Sequence, residues 1–345
     1  MEEKLFVKSS PHLTDRESVP RIMYSVVLAL IPAGIGAVYF FGVRALWITL
    51  ISIASAVATE YLIQKFRKVP VTISDGSAVL TGVLLAYNVS VQVPLWIPVV
   101  GSFFAIAVGK QVFGGLGFNP MNPALLGRAF LLASWPTHMT IFDKAIPRGG
   151  TVSGIDVITS ATPLNVLKQS KDILANASDF PVEKVTQAHQ ALAQLYDASE
   201  KLFWGQIGGC IGETSVFLLL LGAAYLMYKR YIGWKIPFSY LGTVALLEWV
   251  FGGTEGLFTG VVLFHLFSGG LMLGAFYMAT DMVTSPVTFK GRIYFGIGCG
   301  VITVLIREIG GYPEGVSYSI LLMNLTVPLI NRYTKPKAFG GKKAK

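Results

Sequence analysis

The chain has 345 residues, of which 53% are hydrophobic and 14% are charged, and its mean hydropathy is +0.59. This composition excludes a water-soluble globular protein. The net charge of +9 is carried largely by short loops between apolar stretches, a distribution that sets membrane orientation and does not indicate nucleic-acid binding. We therefore predict an all-α polytopic membrane protein.

About ten apolar stretches approach the roughly 20 residues that a helix needs to cross the hydrocarbon core. They begin near Ile22, Ala45, Ser77, Pro94, Pro120, Gln206, Pro237, Gly256, Ile293 and Val316. The stretch from Pro120 to Trp135 is short, which indicates a broken or tilted helix. The first twenty residues are polar, so we expect no cleavable signal peptide and an uncleaved first helix.

Basic residues are concentrated in alternate loops. They are Lys65, Arg67, Lys68, Lys229, Arg230, Lys235, Lys290, Arg292 and the lysines of the tail. Such loops face the cytoplasm, so both termini are predicted to be cytoplasmic and the long polar loop to lie outside. The predicted units are residues 1–135, a first transmembrane repeat; 136–205, an extracytoplasmic loop; 206–334, a second repeat; and 335–345, a basic cytoplasmic tail.

The two halves show weak internal similarity. The segment that starts at Asp75-Gly76 resembles the one that starts at Glu255-Gly256, and residues 122–128 are echoed by residues 285–292. Five spans in each half place the halves in opposite orientation, as two inverted five-helix repeats. Glycine and proline interrupt the apolar pattern at 114–123 and 280–286, and such interruptions commonly line a ligand cavity.

The run Thr159-Ser160-Ala161-Thr162-Pro163 lies in the long loop. Thr followed by Pro favours a helix start, in which the hydroxyl caps free amides and proline takes the first helical position. A phosphate esterified to Thr162 would lie at the positive end of that helix, and the small Ser160 and Ala161 would leave room for a modifying enzyme. An ordinary helix cap explains the same residues.

Ionisable residues within apolar runs are candidates for an ion pathway, because an unpaired charge at bilayer depth is costly. Glu213 and Glu248 are predicted to be the deepest, and Asp75 is a third candidate. Glu60 is expected to reach water near a helix end. His265 is expected to be a hydrogen-bonded core residue, because no second histidine or carboxylate accompanies it at helical spacing.

Two cysteines, Cys210 and Cys299, lie far apart in apolar runs and predict small buried residues rather than a disulfide or cluster ligands. No metal site is predicted. The glycines at 114–117 open no strand-loop-helix unit, so we expect neither nicotinamide binding nor a complete catalytic site on this chain.

Several separated motifs resemble one family over essentially the whole chain. They are Ser74-Asp75-Gly76-Ser77-Ala78, Thr81-Gly82, Gly109-Lys110, Phe113-Gly114-Gly115, Asn119, Asn122-Pro123-Ala124, Gly127-Arg128-Ala129-Phe130, Ser160-Ala161-Thr162 and Thr280-Asp281. In order and placement they resemble the D subunits of Rnf ion-translocating electron-transport complexes, which are related to the B subunit of the sodium-translocating NADH:quinone reductase.

The resemblance implies that Thr162 carries FMN through a phosphodiester bond outside the membrane, installed by a flavin transferase. The family usually has Ser-Gly-Ala-Thr, whereas this chain has Ser160 at the glycine position, which narrows backbone freedom before the acceptor. The family resemblance also implies a second, non-covalent flavin, riboflavin or FMN, which we place at Asn119 and Asn122. The alternative for these two asparagines is that they cap helices and form turns beside the neighbouring prolines. Three roles are open for Arg128: it could pair with an oxygen of the flavin ring, pair with a nearby carboxylate, or be a charge on the cytoplasmic side.

The predicted function is that of a flavin-carrying subunit in the bacterial inner membrane, which relays electrons between ferredoxin and NAD and couples them to Na⁺ or H⁺ transport. Implied partners are NADH-binding, iron–sulfur and second FMN-carrying subunits, together with membrane lipid. A solute transporter or channel explains the repeat and the buried charges equally well. Only Thr162, the predicted flavin attachment residue in the long loop, distinguishes a flavin-carrying subunit from a transporter or channel. An assembly subunit without a cofactor would be colourless.

Overall fold

The computed structural model describes residues 17–143, 159–160, 162–197, 199–205, 208–213, 215–253, 256–310 and 314–336. This part of the chain is helical, apart from one two-residue antiparallel pair in which β1 (Phe142–Asp143) lies against β2 (Thr159–Ser160). The predicted all-α class is confirmed for the described residues.

The first half contains two long helices followed by shorter ones. They are α1 (Val19–Phe41), α2 (Val43–Phe66), α3 (Ser77–Tyr87), α4 (Trp96–Ile106, continued by a π-helical turn Ala107–Gln111), α5 (Pro123–Ser134) and α6 (Pro136–Met139). Gly42 separates α1 from α2 with φ 77°, a left-handed conformation that glycine adopts without steric cost. The chain therefore reverses within a single residue.

The connecting segment adds three polar helices: α7 (Pro163–Ala175), α8 (Val182–Asp197) and α9 (Ser199–Trp204). Leu164 and Leu167 of α7 pack with Leu192 of α8, Leu202 of α9 and Phe264 in one small core. This core attaches the loop helices to the apolar body.

The second half contains α10 (Val216–Tyr228), α11 (Lys235–Phe251), α12 (Val262–Phe267), α13 (Leu271–Leu273, continued by a π-helical turn Gly274–Met278), α14 (Phe289–Glu308) and α15 (Val316–Tyr333). Helix α10 begins at Val216, about ten residues after the start near residue 206 that the hydropathy pattern predicts. Each π turn directly precedes one of the two predicted interruptions.

Three of the described helices, α1, α2 and α14, are long and apolar enough to cross a membrane, and four shorter apolar helices accompany them. Helix α3 has 11 residues and α5 has 12, about half the length of a full span. The short stretch predicted after Pro120 is confirmed. Large apolar side chains lie exposed on the outer helix faces, such as Ile35 at 66% and Leu62 at 62%, as lipid contact requires.

The connections fall into two groups at opposite ends of the helices. At what we name the loop end, Arg44 Nε donates to Val91 O at 2.8 Å, Ile211 N donates to Val89 O at 3.0 Å, and α7 contacts the end of α14 through Lys171. This end carries α7–α9.

At the other end, which we name the basic end, Arg67 Nη1 donates to Gln111 O at 2.6 Å and the Tyr231 hydroxyl donates to Glu17 at 2.8 Å. The ends of α14 and α15 meet here, where the Thr288 and Thr334 hydroxyls lie 2.5 Å apart. The loop lysines and arginines at 65–68, 229–235 and 290–292 all lie at this end.

Candidate functional site

Thr162 is the N-cap of α7, as its sequence predicts. Its hydroxyl accepts a hydrogen bond from Asn165 N at 3.3 Å, and Pro163 occupies the first turn. The residue is 5% exposed. The backbone of Ser160 pairs with Phe142 in the short strand pair, whereas the Ser160 side chain and all of Ala161 lie outside the described residues.

A cavity of about 400 Å³ adjoins Thr162. Its lining combines α7, the segment before α10 and the turn after α12: Thr162, Pro163, Leu164, Leu202, Gly208, Gly209, Glu213, Phe267, Ser268, Gly269 and Glu314. A side chain at Gly270 would place its Cβ 2.5 Å from Glu213 Oε1, and one at Gly209 would lie 3.1 Å from Glu213 Oε2. Glycines therefore leave room for the Glu213 carboxylate, whose Oε1 is buried without a hydrogen-bond partner among the described residues.

Arg128 of α5 forms an ion pair with Glu314 beside this cavity. Its Nη1 also donates to Asn88 Oδ1 and Ser317 Oγ, each at 2.9 Å, and the side chain is almost fully buried. Of the predicted roles, pairing with a carboxylate is therefore the one observed. Arg128 lies at the loop end and does not line the cavity that contains Asn119 and Asn122.

Cys210, Glu213 and Glu314 bring three potential ligand atoms within 4.8 Å of one another. Arg128 already neutralises Glu314, and its Nη2 lies 3.8 Å from Cys210 Sγ. A second cation would be repelled by this guanidinium, so we infer no metal site here. Cys210 and Cys299 are buried free thiols, as predicted.

The larger cavity lies toward the basic end, between the two interrupted segments, and has an unoccupied volume of about 780 Å³. Its polar lining comprises Ser77, Thr81, Lys110, Asn119, Asn122, Tyr231, Tyr277, Thr280 and Asp281. The remaining lining is mostly apolar, a combination typical of a site for a planar organic ligand. The predicted interruptions therefore do face one cavity.

The two asparagines have different roles. Asn122 is the N-cap of α5: its Oδ1 accepts from Ala124 N at 3.0 Å and Leu125 N at 3.3 Å. Asn119 donates to Met121 O at 3.1 Å, but its Oδ1 is buried without a partner in the described part of the chain. Capping accounts for Asn122, whereas Asn119 keeps an acceptor free.

Glu60 does not reach water, so that expectation is wrong. It is fully buried, and Lys110 Nζ lies 2.6 Å from its Oε1 and 2.9 Å from its Oε2. Gln64 and Gln111 also donate to it, at 3.1 and 3.0 Å. We name Glu60, Ser77 and Lys110 the inner triad, because Lys110 also donates to Ser77 Oγ at 2.6 Å.

Asp75 extends the inner triad toward the basic end. Its Oδ1 accepts from the Ser77 backbone N at 2.8 Å and from Ser77 Oγ at 2.5 Å. A continuous chain of hydrogen bonds therefore runs from Asp75 through Ser77 and Lys110 to Glu60.

Glu248 and His265 lie together, although sequence spacing suggested that His265 had no such neighbour. His265 Nδ1 is 3.2 Å from Glu248 Oε2, and Arg307 Nη1 is 3.7 Å from Glu248 Oε1. All three side chains are at most 2% exposed. We name Glu248, His265 and Arg307 the outer triad, because it lies where α11, α12 and α14 meet near the loop end.

The NQR2, RnfD, RnfE family matches the chain over residues 6–340. The chain belongs to this family. It is 49% identical over 334 residues to the D subunit of the proton-translocating ferredoxin:NAD(+) oxidoreductase complex of Clostridium ljungdahlii, covering 97% of this chain and 96% of the relative. It is 48% identical over 344 residues to the D subunit of the Na(+)-translocating ferredoxin:NAD(+) oxidoreductase complex of Acetobacterium woodii, covering 100% and 98%.

A third NQR2, RnfD, RnfE family relative is the D subunit of the ion-translocating oxidoreductase complex of Escherichia coli. It is 37% identical over 352 residues, covering 98% of this chain and 99% of the relative. The predicted family is confirmed.

Three charged residues at these sites escaped the sequence reasoning: Lys110, Arg307 and Glu314. Lys110 belongs to the Gly109-Lys110 motif, which was a signal, but none of the family motifs contains Arg307 or Glu314. Their partners are up to 186 residues distant, so no local spacing reveals them.

Proposed function

We propose that the chain is the membrane-embedded D subunit of an ion-translocating ferredoxin:NAD⁺ oxidoreductase complex in a bacterial inner membrane. The observation that carries this proposal is the near-complete alignment with subunits that bear that name. The proposed partners are the NADH-binding, iron–sulfur and second FMN-carrying subunits. Relatives named for H⁺ and for Na⁺ are almost equally similar to this chain, so the proposal covers either ion.

We further propose that Thr162 carries FMN through a phosphodiester bond, attached by a flavin transferase. The residue fits this role because its hydroxyl begins a 13-residue helix and adjoins a cavity of about 400 Å³. The dipole and free amides at a helix start stabilise an anionic phosphate. Phosphate oxygens can also accept the Asn165 N–H that the hydroxyl accepts in this structure.

Bound FMN would supply redox chemistry, and the chain would hold it at a fixed site. Leu164 and Phe267 provide apolar surface in the cavity, and the Arg128–Glu314 pair lowers the negative charge next to the phosphate. Glu213 remains as an acceptor that can orient a donor group.

In-gel fluorescence tests this attachment. The chain, purified from cells that flavinylate other proteins, is denatured, and flavin fluorescence is read from its band. We expect the band to fluoresce in the wild type and to be dark in Thr162→Ala. Thr288→Ala is the matched control, because Thr288 caps α14 in the same way and accepts from Gly291 N at 3.1 Å. A fluorescent Thr162→Ala band refutes the site.

A second, non-covalent flavin, riboflavin or FMN, is proposed for the larger cavity. Asn119 Oδ1 supplies a free acceptor, and the Thr81 hydroxyl, which donates to Ser77 O, can accept a hydrogen bond along the same wall. Asn122 shapes this wall through its cap on α5. Arg128 has no part in this site, because it is paired at the loop end.

Acid extraction tests the second site. The denatured chain should release one flavin into the supernatant, and Asn119→Ala should lower that yield while leaving the covalent fluorescence intact. Asn176→Ala, on the exposed C-cap of α7, should change neither quantity. Equal yields from Asn119→Ala and the wild type would exclude Asn119 as a ligand.

We propose ten spans arranged as two inverted five-helix repeats: α1–α5, then α10, α11, α12 with α13, α14 and α15. The contacts support this order, because α2 packs on α3 and α4 as α11 packs on α12 and α14. In both halves the second helix supplies a buried glutamate and the fourth a cation: Glu60 with Lys110, and Glu248 with Arg307.

One sequence echo does not fit this order. Residues 122–128 begin the fifth helix of the first half, whereas residues 285–292 begin the fourth helix of the second half. The other echo, at Asp75 and Glu255, precedes the third helix in both halves, although Glu255 itself lies outside the described residues.

The proposed orientation puts the basic end in the cytoplasm and the loop end, with Thr162, outside. It is supported by the clustering of loop lysines and arginines at one end and of α7–α9 at the other. Glu213, Glu248 and Asp75 remain the proposed ion-pathway residues. Glu213 lies beside the Thr162 cavity and Glu248 in the outer triad, both at the loop end. Asp75 lies next to the inner triad, toward the basic end.

A further inference from the structure

The outer triad contains an unusual concentration of unsatisfied polar atoms. Glu248 Oε1, His265 Nε2 and the neighbouring Ser268 Oγ are buried without a hydrogen-bond partner among the described residues, whereas Glu248 Oε2 and His265 Nδ1 lie 3.2 Å from one another. Glu248, His265 and Ser268 are each at least 99% buried. An unsatisfied buried polar atom costs about 1 to 3 kcal/mol, so these three atoms favour a partner that the described protein atoms do not supply.

The surrounding backbone keeps space beside these atoms. A Cβ at Gly252 would lie 2.7 Å from Glu248 Oε2 and 3.0 Å from His265 Nε2. A cavity of about 410 Å³ leads from His265 and Arg307 to Lys168, Lys171 and Asp172 on α7. Asp172 is exposed, so the cavity opens at the loop end.

The charges facing His265 argue against a metal ion as the missing partner. Glu248 of α11 and Arg307 of α14 lie beside the ring, and the cavity next to it is also lined by Glu308 of α14 and by Lys168, Lys171 and Asp172 of α7. These are three acidic and three basic groups, while Glu200 and Lys201 of α9 are exposed to the outside. A metal cation would have to displace Arg307 from the single carboxylate in reach, whereas water and a proton need no extra anion.

We propose that His265, held between Glu248 and Arg307, is a hydrated protonation site that exchanges protons with the loop end through this cavity. Glu248 Oε2 faces the ring at His265 Nδ1, and Arg307 and Lys171 place positive charge nearby. Arg307 also fixes the geometry, because its Nη1 donates to His265 O at 2.8 Å and its Nη2 to Ser268 O at 3.0 Å.

Nitrogen-15 NMR of histidine-labelled full-length chain in nanodiscs tests the proposal. The chain has four histidines, and His265→Asn identifies the resonance of His265 by its loss. We expect this resonance to titrate within about pH 5 to 8. In Glu248→Gln its midpoint should move to lower pH, because the imidazolium loses its carboxylate partner. Exposed His189 serves as an internal reference.

Glu200→Gln is the matched control, since Glu200 is exposed on α9 and its loss should leave the midpoint of His265 nearly unchanged. If Glu248→Gln does not fold, Glu248→Asp keeps the charge, withdraws it from the ring and should move the midpoint in the same direction. A His265 resonance that stays constant over this range, or a midpoint unaffected by either Glu248 variant, overturns the proposal. The measurement needs no flavin, so its failure is distinct from that of the proposed redox function.

Discussion

In the proposed arrangement of two repeats, the inner and outer triads occupy corresponding helices of the two halves, but they differ in how completely their polar atoms are satisfied. In the inner triad, Glu60 accepts from Lys110, Gln64 and Gln111. In the outer triad, Glu248 Oε1 and His265 Nε2 have no hydrogen-bond partner within the described part of the chain, although both side chains are almost completely buried. The same arrangement of charges therefore forms a closed network at one end and an incomplete one at the other.

This difference suggests a structural role for the inner triad and a functional role for the outer triad. A buried ion pair with all its hydrogen bonds in place resists change, because removing one partner leaves an uncompensated charge. A buried pair with unused donors and acceptors must recruit water or a ligand. We expect the inner triad to hold helices together beside the larger cavity. We expect the outer triad to exchange water and protons with the loop end.

The largest stability loss should follow Lys110→Met, which strands the buried Glu60 carboxylate. We expect the free energy of unfolding, measured by denaturant titration in micelles, to fall by about 3 to 5 kcal/mol. The double variant Glu60→Leu/Lys110→Met should recover much of this loss, because neither charge remains. A double variant as unstable as the single one would show that the pair is not the cause.

Arg128→Met should have the next largest effect. It leaves Glu314 near Glu213 without its cation, and it removes the donors to Asn88 and Ser317. Because Glu314 is partly exposed, we expect a loss of about 1 to 3 kcal/mol in the same titration. Unchanged stability would mean that the ion pair contributes nothing to joining the halves.

His265→Asn should cost less, about 1 kcal/mol, because His265 Nε2 has no partner among the described residues and Nδ1 loses only its 3.2 Å contact with Glu248 Oε2. The comparison with Lys110→Met is the sharpest one between the triads. A loss equal to that of Lys110→Met would assign His265 to a closed structural network and contradict the distinction drawn between them.

Lys171→Met should have the smallest effect, below about 1 kcal/mol. It is the same substitution as Lys110→Met, but the pair of Lys171 with Glu308 is about one-fifth exposed on each side. Thermal melting of the two variants side by side measures how much burial alone changes the cost of losing a lysine.

Hydropathy and proline and glycine positions predict much of the fold. The starts of α3 at Ser77 and α15 at Val316, and the shortness of α5, agree with the sequence. The start of α10 is displaced because part of the predicted stretch forms a separate 3-10 turn, Ile211–Glu213, that packs against α3. Hydropathy registers apolarity there but does not distinguish helix from coil.

The site is less predictable than the fold. Thr162 is identified by a local rule, since a cap needs only the residues that follow it. The pairs Glu60–Lys110 and Arg128–Glu314 join residues 50 and 186 positions apart, and their formation depends on helix packing that no periodicity encodes. For the same reason, His265 appears isolated in sequence and has a carboxylate neighbour in space.

Intact-mass measurement of the chain isolated from its complex tests whether Thr162 carries a flavin, as we propose. We predict the polypeptide mass plus one FMN less one water, with the added mass confined to the peptide that contains Thr162. A bare polypeptide mass, from cells in which other proteins are flavinylated, would show that Thr162 carries no flavin.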